Sequence, residues 1–392
     1  MSAFSTINMR EVTRLTRAGK LAEAMRMLRG KGGDGARQET DALSTRLIGS
    51  AVPSTQSASS NSADGESPRP IFEKGSPPFA RTMPLFQGRP PRVGFPNVAL
   101  RSRRSPPAPL PEGARFETRA YANEVGSRTY KVYVPSGYNG QPLPVVVMLH
   151  GCTQDPDDFA AGTRMNEVAE EQTFLVVYPC QPKSANIQKC WNWFNAGDQQ
   201  RNGGEPSLIA GIAYEVVSSF AADASRVYVA GLSAGGAAAA ILAATHPDLF
   251  AAVGVHSGLA CGAARDMPSA FAAMSGGGAV APRGGGSIVP TIVFHGDADG
   301  TVHPVNGDQV IAQGKPAAEL TKIVTRGETP AGMAYTRTAH VSSAGEHLLE
   351  HWELHGAGHA WSGGSRSGSF TEPRGPDASR EMIRFFLGHK RG

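Results

Sequence analysis

Five near-continuous apolar runs recur between residues 145 and 294: Val145–Leu149, Phe174–Tyr178, Val227–Ala230, Ala252–Val255 and Thr291–Phe294. Successive side chains of a strand point to opposite faces, so a run that is apolar at consecutive positions needs cover on both faces. Helical stretches, including 208–221 and 237–244, lie between the runs. The pattern predicts an α/β fold: a mostly parallel central sheet with helices on both faces. Ligands of such sheets bind beyond the carboxyl ends of the strands. Ahead of the first run, 116–121 and 128–134 alternate apolar and polar residues, as an antiparallel hairpin does.

The N-terminal third is different. Residues 51–113 hold 13 of the 29 prolines and a serine-rich stretch from Ser54 to Ser67. Proline removes backbone donors and serine adds no core, so 31–112 reads as a disordered, basic linker. Residues 1–30 read as a helical segment, with Val12, Leu15, Ala18, Ala22, Met25 and Leu28 at spacings of three and four. The folded domain is expected over 113–392. Residues 1–120 carry 19 Lys/Arg against 10 Asp/Glu, a balance of +9, while the whole chain is only +4. The basic arm reads as solvated, with contact to an anionic surface as the alternative; no nucleic-acid partner is expected.

No apolar run approaches the ~18 residues of a membrane span. Arg10, Arg14, Arg17, Lys20, Arg26 and Arg29 interrupt the segment where a secretory signal would need ~7–15 apolar residues, so the cytoplasm is the expected location. Four cysteines are too few for a disulfide-built scaffold, and none forms a Cys-x-x-Cys pair.

The chemistry centres on Gly231-Leu232-Ser233-Ala234-Gly235, directly after one apolar run and directly before an alanine-rich helix. A strand–turn–helix with small flanking residues lifts a serine hydroxyl above the sheet, next to the free N–H groups of the helix start. The base and its orienting acid are expected downstream in the order Ser, Asp/Glu, His. Phe294-His295-Gly296-Asp297-Ala298-Asp299 closes the last run and offers two acids; Asp299, further into the loop, is favoured over Asp297. His359, in a glycine-flanked loop after the strand 348–354, is the candidate base. His351, His355 and His359 are spaced by four, but Gly356 and Gly358 argue against a helix that would present them to a metal. The oxyanion donors are expected to be the backbone N–H groups of Ala234 and of Cys152, the latter in the loop after Leu149.

These residues resemble a known family. His150-Gly151-Cys152-Thr153-Gln154, Cys190-Trp191-Asn192-Trp193-Phe194, Gly231–Gly236, the 295–299 loop and Gly358-His359-Ala360-Trp361-Ser362-Gly363-Gly364 together look like the polyhydroxybutyrate depolymerase family of esterases, which also includes feruloyl and acetyl-xylan esterases. The resemblance covers about 113–390. It implies an α/β-hydrolase fold, Ser233 as nucleophile, Asp299 as acid and His359 as base, with no cofactor and no metal. It also implies a serine carboxylesterase acting on short hydroxyalkanoate esters or oligomers, with a feruloyl or acetyl-xylan esterase as the alternative. A binding protein on an inactive hydrolase fold, recruited to granules by its N-terminus, is the reading from another class. Cys152 and Cys190 both fall in family blocks, which implies a disulfide between them. Such a bond fits poorly with the cytoplasm, and many members of the family are secreted. Trp191, Trp193 and Trp361, with Gln154, are the candidate walls of the substrate pocket.

Overall fold

The structure, a computed structural model, describes residues 109–280 and 288–392. The expected N-terminal helix, nearly all of the expected linker and part of the glycine-rich stretch after Gly276 lie outside the described residues. Strands β1 (Arg115–Asn123) and β2 (Gly126–Val134) form the antiparallel hairpin, with Arg115 opposite Val134. The apolar runs become β3 (Val145–Leu149), β4 (Leu175–Pro179), β5 (Val227–Leu232), β6 (Ala252–His256) and β7 (Thr291–Gly296). The last three strands of the sheet are β8 (Thr321–Glu328), β9 (Ala334–Val341) and β10 (His347–Leu354). Among the described residues they make one ten-stranded sheet in the order β1-β2-β4-β3-β5-β6-β7-β10-β9-β8. From β4 to β10 across that order every pairing is parallel.

Both faces are covered, as continuous apolar strands require. On one face Val145, Val147 and Leu149 pack with α3 (Gly204–Ser219) and α4 (Ala234–Thr245). On the other, Val146 and Met148 pack with α1 (Pro156–Thr163) and α2 (Met165–Gln172). The remaining helices divide likewise: α5 (Met267–Gly276) and α6 (Val305–Gln313) join the first layer, and the C-terminal α7 (Ala378–Leu387) joins the second. Helix α4 is buried from Ala234 to Ala243, which explains its alanine-rich sequence. Small side chains let it lie close against the strands without displacing them.

One element is absent from the sequence reading. Residues 321–341 form the antiparallel hairpin β8–β9, which extends the sheet beyond β10. Strand β8 is exposed along almost its whole length, so neither a continuous nor an alternating apolar pattern marks it.

The hairpin is tied to the domain through Glu350 of β10, which is fully buried. Its carboxylate accepts from Arg337 Nη2 at 2.6 Å and Nε at 3.0 Å on β9, and from Arg384 Nη2 at 2.6 Å on α7. Burial alone would raise the Glu350 pKa, but the hydrogen bonds and charges of the two arginines outweigh it and hold the carboxyl below its ordinary 4.5. A lowered folded pKa means stability that is complete above the ordinary value and lost as pH falls through the lowered one. Arg384 remains 44% exposed, so the loss on Glu350→Gln should fall below the ~3–5 kcal/mol of a wholly buried pair, at about 2 kcal/mol near neutral pH. Urea unfolding followed from pH 7 down to 3 should show the gap between variant and wild type closing in acid.

Candidate active site

Ser233 sits between β5 and α4 with φ 59° and ψ −120°, a conformation that L-residues avoid. The turn is possible because two neighbours lack side chains. A Cβ on Gly231 would stand 2.3 Å from the Gly235 carbonyl, and one on Gly235 would stand 2.0 Å from the Leu149 oxygen. The Ser233 N–H donates to the His256 carbonyl at 2.9 Å, tying the turn to the end of β6. Such backbone strain costs about 1–3 kcal/mol and persists only where the surroundings fix it, as they do here.

Asp299 and His359 meet at the ends of the adjacent strands β7 and β10. His359 Nδ1 lies 2.7 Å from Asp299 Oδ2. The other carboxylate oxygen accepts from the backbone N–H groups of Thr301 and Val302, each at 2.9 Å. The Asp299 side chain is fully buried and that of His359 is 12% exposed. Burial would raise the Asp299 pKa, but the hydrogen bond and charge of His359 and the two backbone donors reverse the direction and lower it. An ionised acid held at Nδ1 fixes the imidazole with its proton there, leaving Nε2 as the basic nitrogen.

Asp297 forms a separate pair. Its carboxylate meets His355 Nδ1 at 2.9 Å and accepts from the Gly356 N–H at 2.7 Å. His351 lies elsewhere, buried beside α6 with Nδ1 3.5 Å from Asp308. The three histidines spaced by four therefore face three different aspartates.

Beneath the site lies a fully buried neutral imidazole, His256. Burial, with His295 and His359 acting in the same direction, pushes its pKa down to about 3. Its Nε2 accepts from the Ser362 N–H at 3.0 Å, and its ring stacks on Trp361.

The loop after β3 is built around fixed polar contacts. Gln154 accepts from the Gly151 N–H at 2.9 Å and donates to Asp158 at 3.0 Å and to the Ser369 carbonyl at 3.1 Å. A disulfide joins Cys152 to Cys190. The Thr153 N–H donates to the Gln188 carbonyl at 2.6 Å. Among the described residues neither the Cys152 nor the Ala234 N–H is recorded donating to a protein acceptor. Ala234 heads α4, where N–H groups lack an intrahelical partner. Cys180 is a half-buried free thiol.

The expected pocket walls need correction. Trp191 is fully buried and donates Nε1–H to the His150 carbonyl at 3.1 Å. Trp361, 1% exposed, donates to Ser379 Oγ and packs edge-on to Phe159. Trp193 and Gln154 are buried as well. Trp191, Trp361 and Gln154 thus direct their N–H groups to internal partners, as buried polar groups must. Ile187, 64% exposed, and Phe370, 46% exposed, are apolar side chains at the surface. Each stands next to a residue hydrogen-bonded to the 151–154 loop, Gln188 and Ser369 respectively. Neither lies in a residue pattern that marks it out in the sequence.

Comparison with known proteins places this arrangement. A family model described as "Esterase PHB depolymerase" matches residues 128–317. Poly(3-hydroxyalkanoate) depolymerase C of Paucimonas lemoignei is 34% identical over 239 residues, 58% of this chain and 57% of that protein. Acetylxylan esterase A of Talaromyces purpureogenus is 30% identical over 212 residues, 50% of this chain and 54% of that protein. The chain thus spans little more than half the length of these relatives. Among solved structures, an acetyl xylan esterase from Aspergillus awamori superposes with a TM-score of 0.53 at 22% identity, covering 70% of this chain and 99% of that one. The fold is that of the α/β-hydrolases.

The two Asp–His pairs make opposite predictions for an esterase assay. Asp299→Asn should lower kcat by about 10³–10⁴-fold, as loss of the orienting carboxylate does in serine hydrolases. Asp297→Asn, at an exposed pair, should leave kcat within about threefold, since exposed ion pairs contribute ~0–1 kcal/mol.

Proposed function

We propose that this chain, whose residues 128–317 belong to the polyhydroxybutyrate depolymerase family of esterases, is a serine carboxylesterase that cleaves hydroxyalkanoate esters through an acyl-enzyme. The observation that carries the reading is the 2.7 Å contact between His359 Nδ1 and buried Asp299, in a chain that also holds Ser233 on a strained strand-to-helix turn. His359 Nε2 takes the Ser233 proton as Oγ bonds to the ester carbonyl carbon. The carbonyl electron pair moves onto oxygen, and the N–H groups of Ala234 and Cys152 stabilise that charge. Collapse of the tetrahedral species breaks the ester C–O bond, and His359 returns the proton to the departing alcohol. Water then attacks the acyl-Ser233 with His359 again as base, releasing the acid. Asp299 holds the imidazole and stabilises its charged form in both halves.

Preference for hydroxyalkanoates follows the Paucimonas relative, a poly(3-hydroxyalkanoate) depolymerase. The acetylxylan esterases at 30% identity support the carbohydrate-ester alternative. The Cys152–Cys190 disulfide supports an oxidising compartment over the cytoplasm, in line with the secreted members of the family.

Hydrolysis of p-nitrophenyl acetate and butyrate, hydroxybutyrate trimer and acetylated xylan, by wild type and Ser233→Ala, tests the reading. Turnover of the trimer and the nitrophenyl esters, lowered by more than about 10⁴-fold in the variant, is expected. Faster release of acetate from xylan than of monomer from trimer would move the substrate to the carbohydrate esters. An inactive wild type would leave the binding-protein reading standing.

A further inference from the structure

Glu205, in the first turn of α3, is 5% exposed, and the groups around its carboxylate are donors. The Asn192 N–H donates to Oε2 at 2.7 Å and Asn192 Nδ2 to Oε1 at 2.8 Å. Gln181 Nε2 makes a short hydrogen bond to Oε1, and Arg128 Nη2 of β2 lies 3.6 Å away. A carboxylate accepts at both oxygens and donates at neither, so its ionised form alone matches this surround.

The contacts continue to the oxyanion loop from both sides of Cys190. Gln181 Nε2 also donates to the Cys190 carbonyl at 2.9 Å, and the Gln181 N–H donates to His150 Nε2 at 3.2 Å. Burial pushes the His150 pKa down to about 4, so its neutral ring accepts there while Nδ1–H donates to the Gly151 carbonyl at 2.8 Å. Between the two residues that grip Glu205, Gln181 and Asn192, lies Cys190, bonded covalently to Cys152.

We propose that Glu205 is a positioning residue for the oxyanion hole, fixing the Cys152 N–H by clamping Cys190 from both sides. This rests on the esterase reading and on Cys152 as an oxyanion donor. An oxyanion hole acts through donors already placed where charge develops, and displacement of such a group by ~1 Å can cost about 10²-fold in rate. The clamp should also respond to pH. Burial, with Asp198 of the neighbouring 3₁₀ turn acting in the same direction, raises the Glu205 pKa to about 7, against the pull of Asn192, Gln181 and Arg128. Protonation replaces an acceptor with an O–H facing donors, so acid loosens the loop.

The test compares wild type, Glu205→Gln and Asn192→Ala on p-nitrophenyl acetate, with phenylboronic acid as a mimic of the tetrahedral species. Glu205→Gln places an amide donor against donors. Its kcat should fall about 10²-fold and its boronate affinity should weaken in parallel, with KM within about twofold. Labelling of Ser233 by a fluorophosphonate and an intact disulfide confirm that the nucleophile and tether remain. In acid, log kcat of the wild type should fall with a slope steeper than one proton, and Glu205→Gln should restore a single-proton limb. Asn192→Ala removes one of the donors to Glu205, together with the acceptor of Asn186 Nδ2, and should lower kcat by roughly three- to tenfold, deciding the matter if the glutamine variant fails to fold. A folded Glu205→Gln with unchanged kcat and slope, or an Asn192→Ala indistinguishable from wild type in its absence, overturns the proposal. An unlabelled, inactive wild type would overturn the esterase reading itself.

Discussion

The close approach of the Ser233 turn to the loop after β3 is the constraint on which the rest of the site depends. Gly235 meets the Leu149 carbonyl at a distance no side chain tolerates, so the serine turn and the loop after β3 are set against each other by backbone contact. The turn cannot relax without separating β5 from α4, and α4 is buried through ten consecutive residues. Strain at one residue is thus held by packing spread over a whole helix. Three adjacent strand ends then fix the remaining parts: His256 on β6 accepts the Ser233 N–H, Asp299 follows β7, and His359 follows β10.

Different physical means hold the two N–H groups proposed here as oxyanion donors. The Ala234 N–H is placed by the helix it begins. The Cys152 N–H belongs to a loop with no secondary structure of its own, and a short loop keeps its geometry only if its polar groups are matched. Gln154 serves its inner side and the 181–192 segment its outer side, with the disulfide between them. Burying Glu205 is costly in itself, and the cost is offset only where its hydrogen bonds are all made, which is what a rigid support requires.

The parts legible in the sequence are those whose signal is local. Consecutive apolar residues are enough to predict buried parallel strands, and glycines around Ser233 are enough to predict the turn. The order of serine, acid and histidine was an expectation taken from the hydrolase fold, since chain direction alone permits other orders. The tryptophans misled because proximity to His359 or Cys190 along the chain says nothing about the side of the backbone on which a ring lies. Trp361 turns inward to His256 and Ser379. Strand β8 left no trace because it buries neither face. Glu205 was silent for another reason: its partners stand at 128, 181 and 192, and only the folded chain brings them together.

The choice between Asp297 and Asp299 shows why burial, and not residue type, separates function from scaffolding. Each aspartate bonds a histidine through Nδ1, and each pair bridges β7 to the segment after β10. Their side-chain exposures differ: 49% and 42% for Asp297 and His355, against 0% and 12% for Asp299 and His359. Water screens the first pair and weakens the attraction between its charges. Within the second, low polarity strengthens the attraction between carboxylate and imidazolium several-fold. The same low polarity would expel a lone carboxylate, and Asp299 is held ionised by the hydrogen bond and charge of His359 and, after them, by the Val302 and Thr301 donors to its second oxygen. An acid suited to stabilise a transient imidazolium must be both dry and fully bonded, and of the two aspartates only Asp299 is.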